Sequence, residues 1–384
     1  MGLTISWRQW NRTLLHRQHL LTRVAEDVIE VLDRVVGMQA QDPQAPHYAL
    51  ASRIVDYNPS ETDELLVGRE VVRMASLRGT VFLMDTEDAR WARGAVQSVL
   101  DRAVRANHVG NLAAARPADI VEHARQLISG SELSAKDLGT GLAERWPAEP
   151  KNAMIAIARG GLNLVQTPPR GLWARGGGVR YALLDDWAGP GLPALTGDEA
   201  VRELIRLYLR GFGPSSAAGV QTWCGLTGLR PVLAAMVADW ELQEYRGPDG
   251  SLLYDLEGLD LADGEQPAPA RLMAPYDNVV AAQSDRARIM DDAVFAALQT
   301  PNGLAPGYVL VDGRVVGSWK VLRAGGSPTV AATYVQPVSA SDRSEVDAEI
   351  ERLQGLLTGQ AVCPPDLSPW GSQESALGFG DGNR

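Results

Sequence analysis

Two cysteines, Cys224 and Cys363, are all that the 384 residues carry. They are too few and too far apart for a disulfide framework or a four-thiolate zinc site. The five histidines, His16, His19, His47, His108 and His123, form no HExxH and no cluster with carboxylates. His16 and His19 stand three apart on an expected helix face with no acidic partner at ligand spacing, which reads as a surface pair. No metal and no cofactor is therefore expected. No apolar run approaches the ~18 residues that cross a bilayer, and Met1 to Arg12 is polar, tryptophan-bearing and without an apolar signal core. The expectation is a cytoplasmic chain with no membrane partner. Neither GxxxxGK[ST] nor GxGxxG occurs, which removes the common phosphate cradles, and Gly213-Pro214-Ser215-Ser216 lacks the last glycine of a nucleophile elbow.

Positive charge is also scarce, with a formal net charge of −11. That balance argues against a nucleic-acid partner until its distribution is considered. Asp239 to Gln266 holds nine acids against Arg246 alone, a balance of −8, and Val338 to Arg384 has a balance of −5. The remainder of the chain is near +2, so a mildly basic face is compatible with the whole.

What is present is ordinary globular material, 45% hydrophobic and 22% charged, long enough for more than one core. Three segments share one rhythm of helices followed by two β-runs around a turn. The first has an apolar stripe at Val24, Val28, Val31, Leu32 and Val35 after Thr22, a helix at Ser60 to Val67, and β-runs flanking Arg78-Gly79. The second has helices at Ile120 to Ile128, Ala135 to Leu142 (Ser134 as cap) and Ala153 to Gly160 (Asn152 as cap). Its β-runs flank Pro168, Pro169 and the glycines 176 to 178. The third has helices at Glu199 to Leu209, Ala217 to Cys224 and Leu229 to Val237, then a hairpin around Gly247-Pro248-Asp249-Gly250. A helix-turn-helix followed by a hairpin wing is the order of a winged helix, and three in tandem suggest a repeat. The plainer alternative is three small α+β packing units with no role on DNA.

The expected class is α+β, with units at 1–115, 116–195 and 196–260 and an acidic, proline-bearing linker. A β-rich part follows at 267–360, with strands at Ala270 to Met273, Arg288 to Met290, Gly307 to Val311 and Arg314 to Lys320. Glu345 to Leu357 reads as a final helix, and 361–384 as a flexible tail.

The most distinctive string is Gly37-Met38-Gln39-Ala40-Gln41-Asp42-Pro43, where a helix enters and two prolines, Pro43 and Pro46, stop it from continuing. Residues two apart diverge on a helix but share a face of an extended chain. Gln39 and Gln41 therefore address one ligand only if the backbone opens out near Gly37. Otherwise they are amides satisfying a helix end.

This triplet resembles the Gln-x-Gln motif of the AlkZ/YcaQ-type winged-helix DNA glycosylases. Ser76-Leu77-Arg78-Gly79-Thr80 and Pro275-Tyr276-Asp277-Asn278 resemble that family too, and the likeness runs from about Thr13 to Arg323. The YcaQ side of the family carries aspartate at the second position, so the chain sides with the AlkZ branch. The resemblance implies three winged helices in a C-shape with a small C-terminal β-barrel-like part. It implies a glycosylase acting on bulky or crosslinking N7- or N3-alkylpurines in duplex DNA, in some members as self-resistance to a DNA-alkylating natural product.

Alkylation makes the purine a cationic, good leaving group. Two neutral amides then suffice to position water and face the oxocarbenium-like sugar. Gln39 and Gln41 would do this, with Asp42 as a competing general base. No lysine near the motif offers a Schiff base, so hydrolysis without strand cleavage is expected. Arg170, Arg175 and Arg180 on the second wing, with Arg78, Arg286 and Arg288, are candidate phosphate contacts. Arg314 sits on the Val309 to Gly317 hairpin, which corresponds in position to one that family members push toward the minor groove. A monomer is expected. The rival is a winged-helix transcriptional regulator without catalysis, which would need an effector domain that the sequence does not display.

Overall fold

The computed structural model describes residues 3–192, 194–300, 304–323 and 326–359. The expected tail at 361–384 lies outside the described residues. The chain is α+β, with twelve strands among the described residues: β1 Met38–Gln39, β2 Val71–Ala75, β3 Val81–Asp85, β4 Leu133–Ser134, β5 Leu164–Gln166, β6 Arg180–Leu183, β7 Leu242–Arg246, β8 Leu252–Leu256, β9 Arg271–Met273, β10 Gly307–Val311, β11 Arg314–Leu322 and β12 Thr329–Tyr334.

Helix Val28–Val35 starts at Asp27, whose carboxylate accepts from Glu30 N while the Glu30 side chain accepts in return. It starts later than the Thr22 stripe suggests because the capping box lies at 27–30. It stops because Val36 and Gly37 take left-handed backbone, with φ of +61° and +73°. A side chain at Gly37 would also meet Met84 Cγ at 2.7 Å and the Leu83 carbonyl at 2.9 Å. The chain then extends as β1, pairing Met38 with Leu83 and Gln39 with Phe82 on β3.

The hairpins of the first two units are not separate. One six-stranded sheet runs in the order β1-β3-β2-β5-β6-β4, with β2 joined to β5 through Met74 and Val165. Every residue of β2 and β5 is buried, including the polar Arg73 and Gln166. In the second unit, Ser134 caps helix Ala135–Arg145 as expected. Helix Lys151–Gly161 instead begins from Pro150, leaving Asn152 inside the first turn.

The third unit supplies helix Gly197–Phe212, whose buried Leu204, Ile205, Tyr208, Leu209 and Phe212 run through the main core beside Trp223. Tyr208 and Phe212 rings stack at 5.0 Å. Its hairpin, β7–β8, forms a sheet of two strands. Asp255 on β8 is buried and paired with Arg17 at 2.6 and 2.8 Å.

A four-stranded sheet, β12-β11-β10-β9, makes the C-terminal part, covered by helix Ala340–Thr358 through Val346 and Leu353. The expected strand at Arg288 to Met290 is absent. Arg286–Arg288 is a 3₁₀ turn, because the Arg288 guanidinium turns inward to donate to the Phe212 and Pro214 carbonyls. No helix of the described residues is long and apolar enough to cross a membrane.

Candidate active site

The left-handed break at Val36-Gly37 is what places the glutamines. Beyond it the backbone is extended through Ala40, whose N–H donates to the Val81 carbonyl at 2.7 Å. Met38 and Ala40 point into the core, whereas Gln39 is half-buried and Gln41 exposed. Gln39 thus leaves β1 on the side away from the buried Met38 and Ala40, and Gln41 follows in the bend that ends the extended stretch. Asp42 closes the segment by accepting from Gln44 N at 2.9 Å.

Two arginines hold the triplet from below. Arg73 on β2 is buried and donates to the Ala40 carbonyl and to the Arg170 carbonyl, both at 3.0 Å. Arg78 occupies the β2–β3 turn in left-handed backbone, φ +57°. That turn swings its guanidinium inward, where it donates to Gln39 Oε1 at 2.7 Å, Asn278 Oδ1 at 3.1 Å and the Trp223 carbonyl at 2.5 Å. It also lies over the Phe82 ring, 5.3 Å from its centre. Among the described residues, no carboxylate is a hydrogen-bond partner of either arginine. Burial pushes each down to about 10, which leaves both charged at neutral pH.

The segment Pro275 to Asn278 forms the facing wall. Asp277 pairs with buried Arg53 through two bonds of 2.9 and 3.1 Å, and Arg53 also donates to Gln18. Asn278 lends its amide nitrogen to the Gly37 carbonyl at 3.4 Å. Tyr276 adopts left-handed backbone, φ +62°, an uncommon state for a bulky residue. Between the walls lies a cavity of about 10 Å³, lined by Gln18, Gln39, Arg53, Phe212, Asp277 and Asn278. That is near the size at which one water fits and far below a purine pocket.

The model of the family described as DNA glycosylase AlkZ-like matches residues 32–356. The chain belongs to the AlkZ-like DNA glycosylase family. It is accordingly a DNA glycosylase, with DNA as its substrate and DNA repair as its setting. Among solved structures, the Streptomyces sahachiroi DNA glycosylase AlkZ is similar with a TM-score of 0.72 at 19% identity. That similarity covers 92% of this chain and 98% of that one. A search of curated proteins returned no match.

Of the arginines expected to contact DNA in this glycosylase, Arg288 is fully buried and spends its donors on two carbonyls and Gln283 Oε1, so it cannot reach a phosphate. Arg78 is likewise committed, to the triplet itself rather than to the surface. Arg180 is paired with Glu132 at 3.0 Å, Arg314 with Asp291, and Arg286 lies on the Phe295 ring at 3.6 Å. Arg170 donates to the Gly177 carbonyl at 3.1 Å and stays half-buried, while Arg175 is exposed and makes no ion pair among the described residues.

The β10–β11 hairpin is also placed differently from the expectation. Its turn, Asp312-Gly313, is pinned to helix Trp7–Arg17: Asp312 pairs with Arg8 at 3.0 Å and with Arg12, and Asn11 donates to the Gly313 carbonyl at 2.8 Å. The tip is thereby held against that helix, with the Asp312 side chain about half exposed. The other end of β11 exposes Lys320, Leu322 and Arg323. Arg323 reaches Tyr48, whose hydroxyl is pushed up first by burial and then by Asp42 just after the triplet. Sequence reasoning missed Arg323 because the pairing of β11 with β12 brings it there. His19 is a further correction: it is buried, not half of a surface pair, and burial pushes it down to about 4.

Proposed function

We propose that this glycosylase hydrolyses the N-glycosidic bond of cationic N7- or N3-alkylpurines in duplex DNA, including bulky adducts and crosslinks, using Gln39 and Gln41 to position the water. The observation that carries it is a half-buried Gln39 and an exposed Gln41 at the end of a short extended segment, where the cavity lined by Gln39 is only about 10 Å³. A lesion too large to be extruded into a closed pocket is accommodated by such an open site.

In the proposed step, the bond from C1′ to the purine nitrogen breaks with its electron pair leaving on the base, which quenches the adduct's positive charge. Water oxygen bonds to C1′, and the excess proton passes to solvent. No strong base is required, and Asp42, already accepting from Gln44 N, stays a secondary candidate. The three lysines, Lys136, Lys151 and Lys320, contribute nothing to the cavity wall, which supports hydrolysis without a Schiff base. Arg175, Arg170 and Arg323 are the proposed phosphate contacts, on three winged-helix units arranged as a C-shape and acting as a monomer. Self-resistance to a DNA-alkylating natural product belongs to the same reading.

The test is base release from duplexes carrying N7-methylguanine or a nitrogen-mustard crosslink. Release of both bases, leaving alkali-labile abasic sites without strand cleavage, is the expected result. Tight duplex binding with no release from either would instead favour a regulator.

A further inference from the structure

We infer that Arg78 is a positioning residue that fixes the Gln39 carboxamide with its NH₂ toward the reacting groups, so that Gln39 acts as a donor and not through its oxygen. The inference rests on the proposed role of Gln39 in base release.

A guanidinium has five donors and no acceptor. The atom of Gln39 that faces Arg78 Nη2 at 2.7 Å is therefore its oxygen, whichever way an amide is otherwise assigned. With Oε1 turned to the guanidinium and one of its lone pairs taken, the end of the carboxamide that points away is Nε2, which finds no acceptor among the described residues. Asn278 is locked in the same sense, its oxygen on Arg78 and its nitrogen on the Gly37 carbonyl. Two amides thus share one cation, and neither can rotate without leaving Arg78 short of a partner.

The charge matters as well as the geometry. Among the described residues, the hydrogen-bond partners of Arg78 are neutral oxygens, with the Phe82 face and the buried Cys224 thiol beside them. An unneutralised guanidinium draws electron density toward Oε1 and makes the Nε2 hydrogens better donors. A water held by such a donor keeps a lone pair for C1′. The acceptor for the water's own hydrogen then falls to Gln41, two residues on and exposed, with no hydrogen-bond partner for its carboxamide among the described residues.

Gln39→Glu separates this role from its alternatives. A carboxylate keeps and strengthens the contact to Arg78 but has no hydrogen to donate. Single-turnover base release from N7-methylguanine duplex is expected to fall about 10²-fold, as far as in Gln39→Ala, while thermal stability and duplex affinity hold. Arg78→Met is expected to lower the single-turnover rate with duplex affinity retained, and Arg78→Lys to recover part of it. If Arg78→Met does not fold, Gln39→Glu still decides. Gln39→Glu at or above the native rate would overturn the inference, since the site would then be using an oxygen toward the cationic sugar. Gln39→Ala at the native rate would instead sink the underlying assignment of Gln39.

Discussion

Two arginine clamps lie beside one small cavity, and they are built differently. On one wall Arg53 meets Asp277 through two bonds, a buried ion pair with no net charge. Under the Gln-x-Gln triplet, the hydrogen-bond partners of Arg73 and Arg78 among the described residues are carbonyls and amide oxygens, with the Asp42 carboxylate within electrostatic reach of Arg73. Sequence distance does not explain the contrast, because both clamps join residues far apart in the chain. The difference lies in what each wall must do. The ion pair staples the Pro275 to Asn278 segment in place. The neutral partners of Arg73 and Arg78 fix the triplet's backbone and one amide while leaving positive charge beneath it. In a chain of net charge −11, that is a local reversal of sign where DNA is expected to approach.

Removing a partner should break the two walls unequally. Asp277→Ala leaves Arg53 buried without its carboxylate and is expected to cost about 3–5 kcal/mol in urea unfolding. Arg78→Met removes a cation that had no carboxylate to strand, so its loss should be clearly smaller. Equal losses would mean that the clamps are not different in kind.

A gentler way to sharpen the contrast uses pH. His47 is buried, with ring nitrogens 2.8 Å from the Gly171 carbonyl and from the Tyr57 hydroxyl, and it fastens the loop that carries Arg170 beside the triplet. Burial pushes it from 6.5 down to about 4. Between those values the unfolded chain binds a proton that the folded chain refuses. The stability contributed by neutral His47 is therefore full above pH 6.5 and lost as the pH falls to 4, by up to about 3 kcal/mol. Asp63, 3.9 Å from His47, is pushed up by burial from 3.8 to about 6 and runs the other way. Its contribution is full below pH 3.8 and lost as the pH rises through 6. Asp63→Asn should therefore steepen the acid-side fall in Tm, and a fall that becomes shallower would contradict the assignment.

Much of this was legible in the sequence, for physical reasons that can be named. Gly37, Pro43 and Pro46 marked a place where the helix could not continue, while leaving open whether the chain there extends or simply ends the helix. Short-range signals of that kind also marked Ser134 as a cap and β8 as Leu252–Leu256. Arginine was the residue type read least well. Arg288 and Arg78 look like surface charge in a string, yet carbonyls more than 70 residues away take up their donors. The Asp312-Gly313 turn promised a free tip, but Arg12 and Asn11, some 300 residues earlier, hold it down. The merging of β2 with β5 was invisible too, since strand pairing across units leaves no local mark.

The most direct measurement of the central claim is base release from N7-methylguanine duplex by Gln39→Ala and Gln41→Ala, alongside duplex affinity and thermal stability. The account predicts that each variant loses on the order of 10²-fold in single-turnover rate while still binding DNA and melting near the native temperature. Native rates in both, with base release intact, would place the water site elsewhere in the molecule.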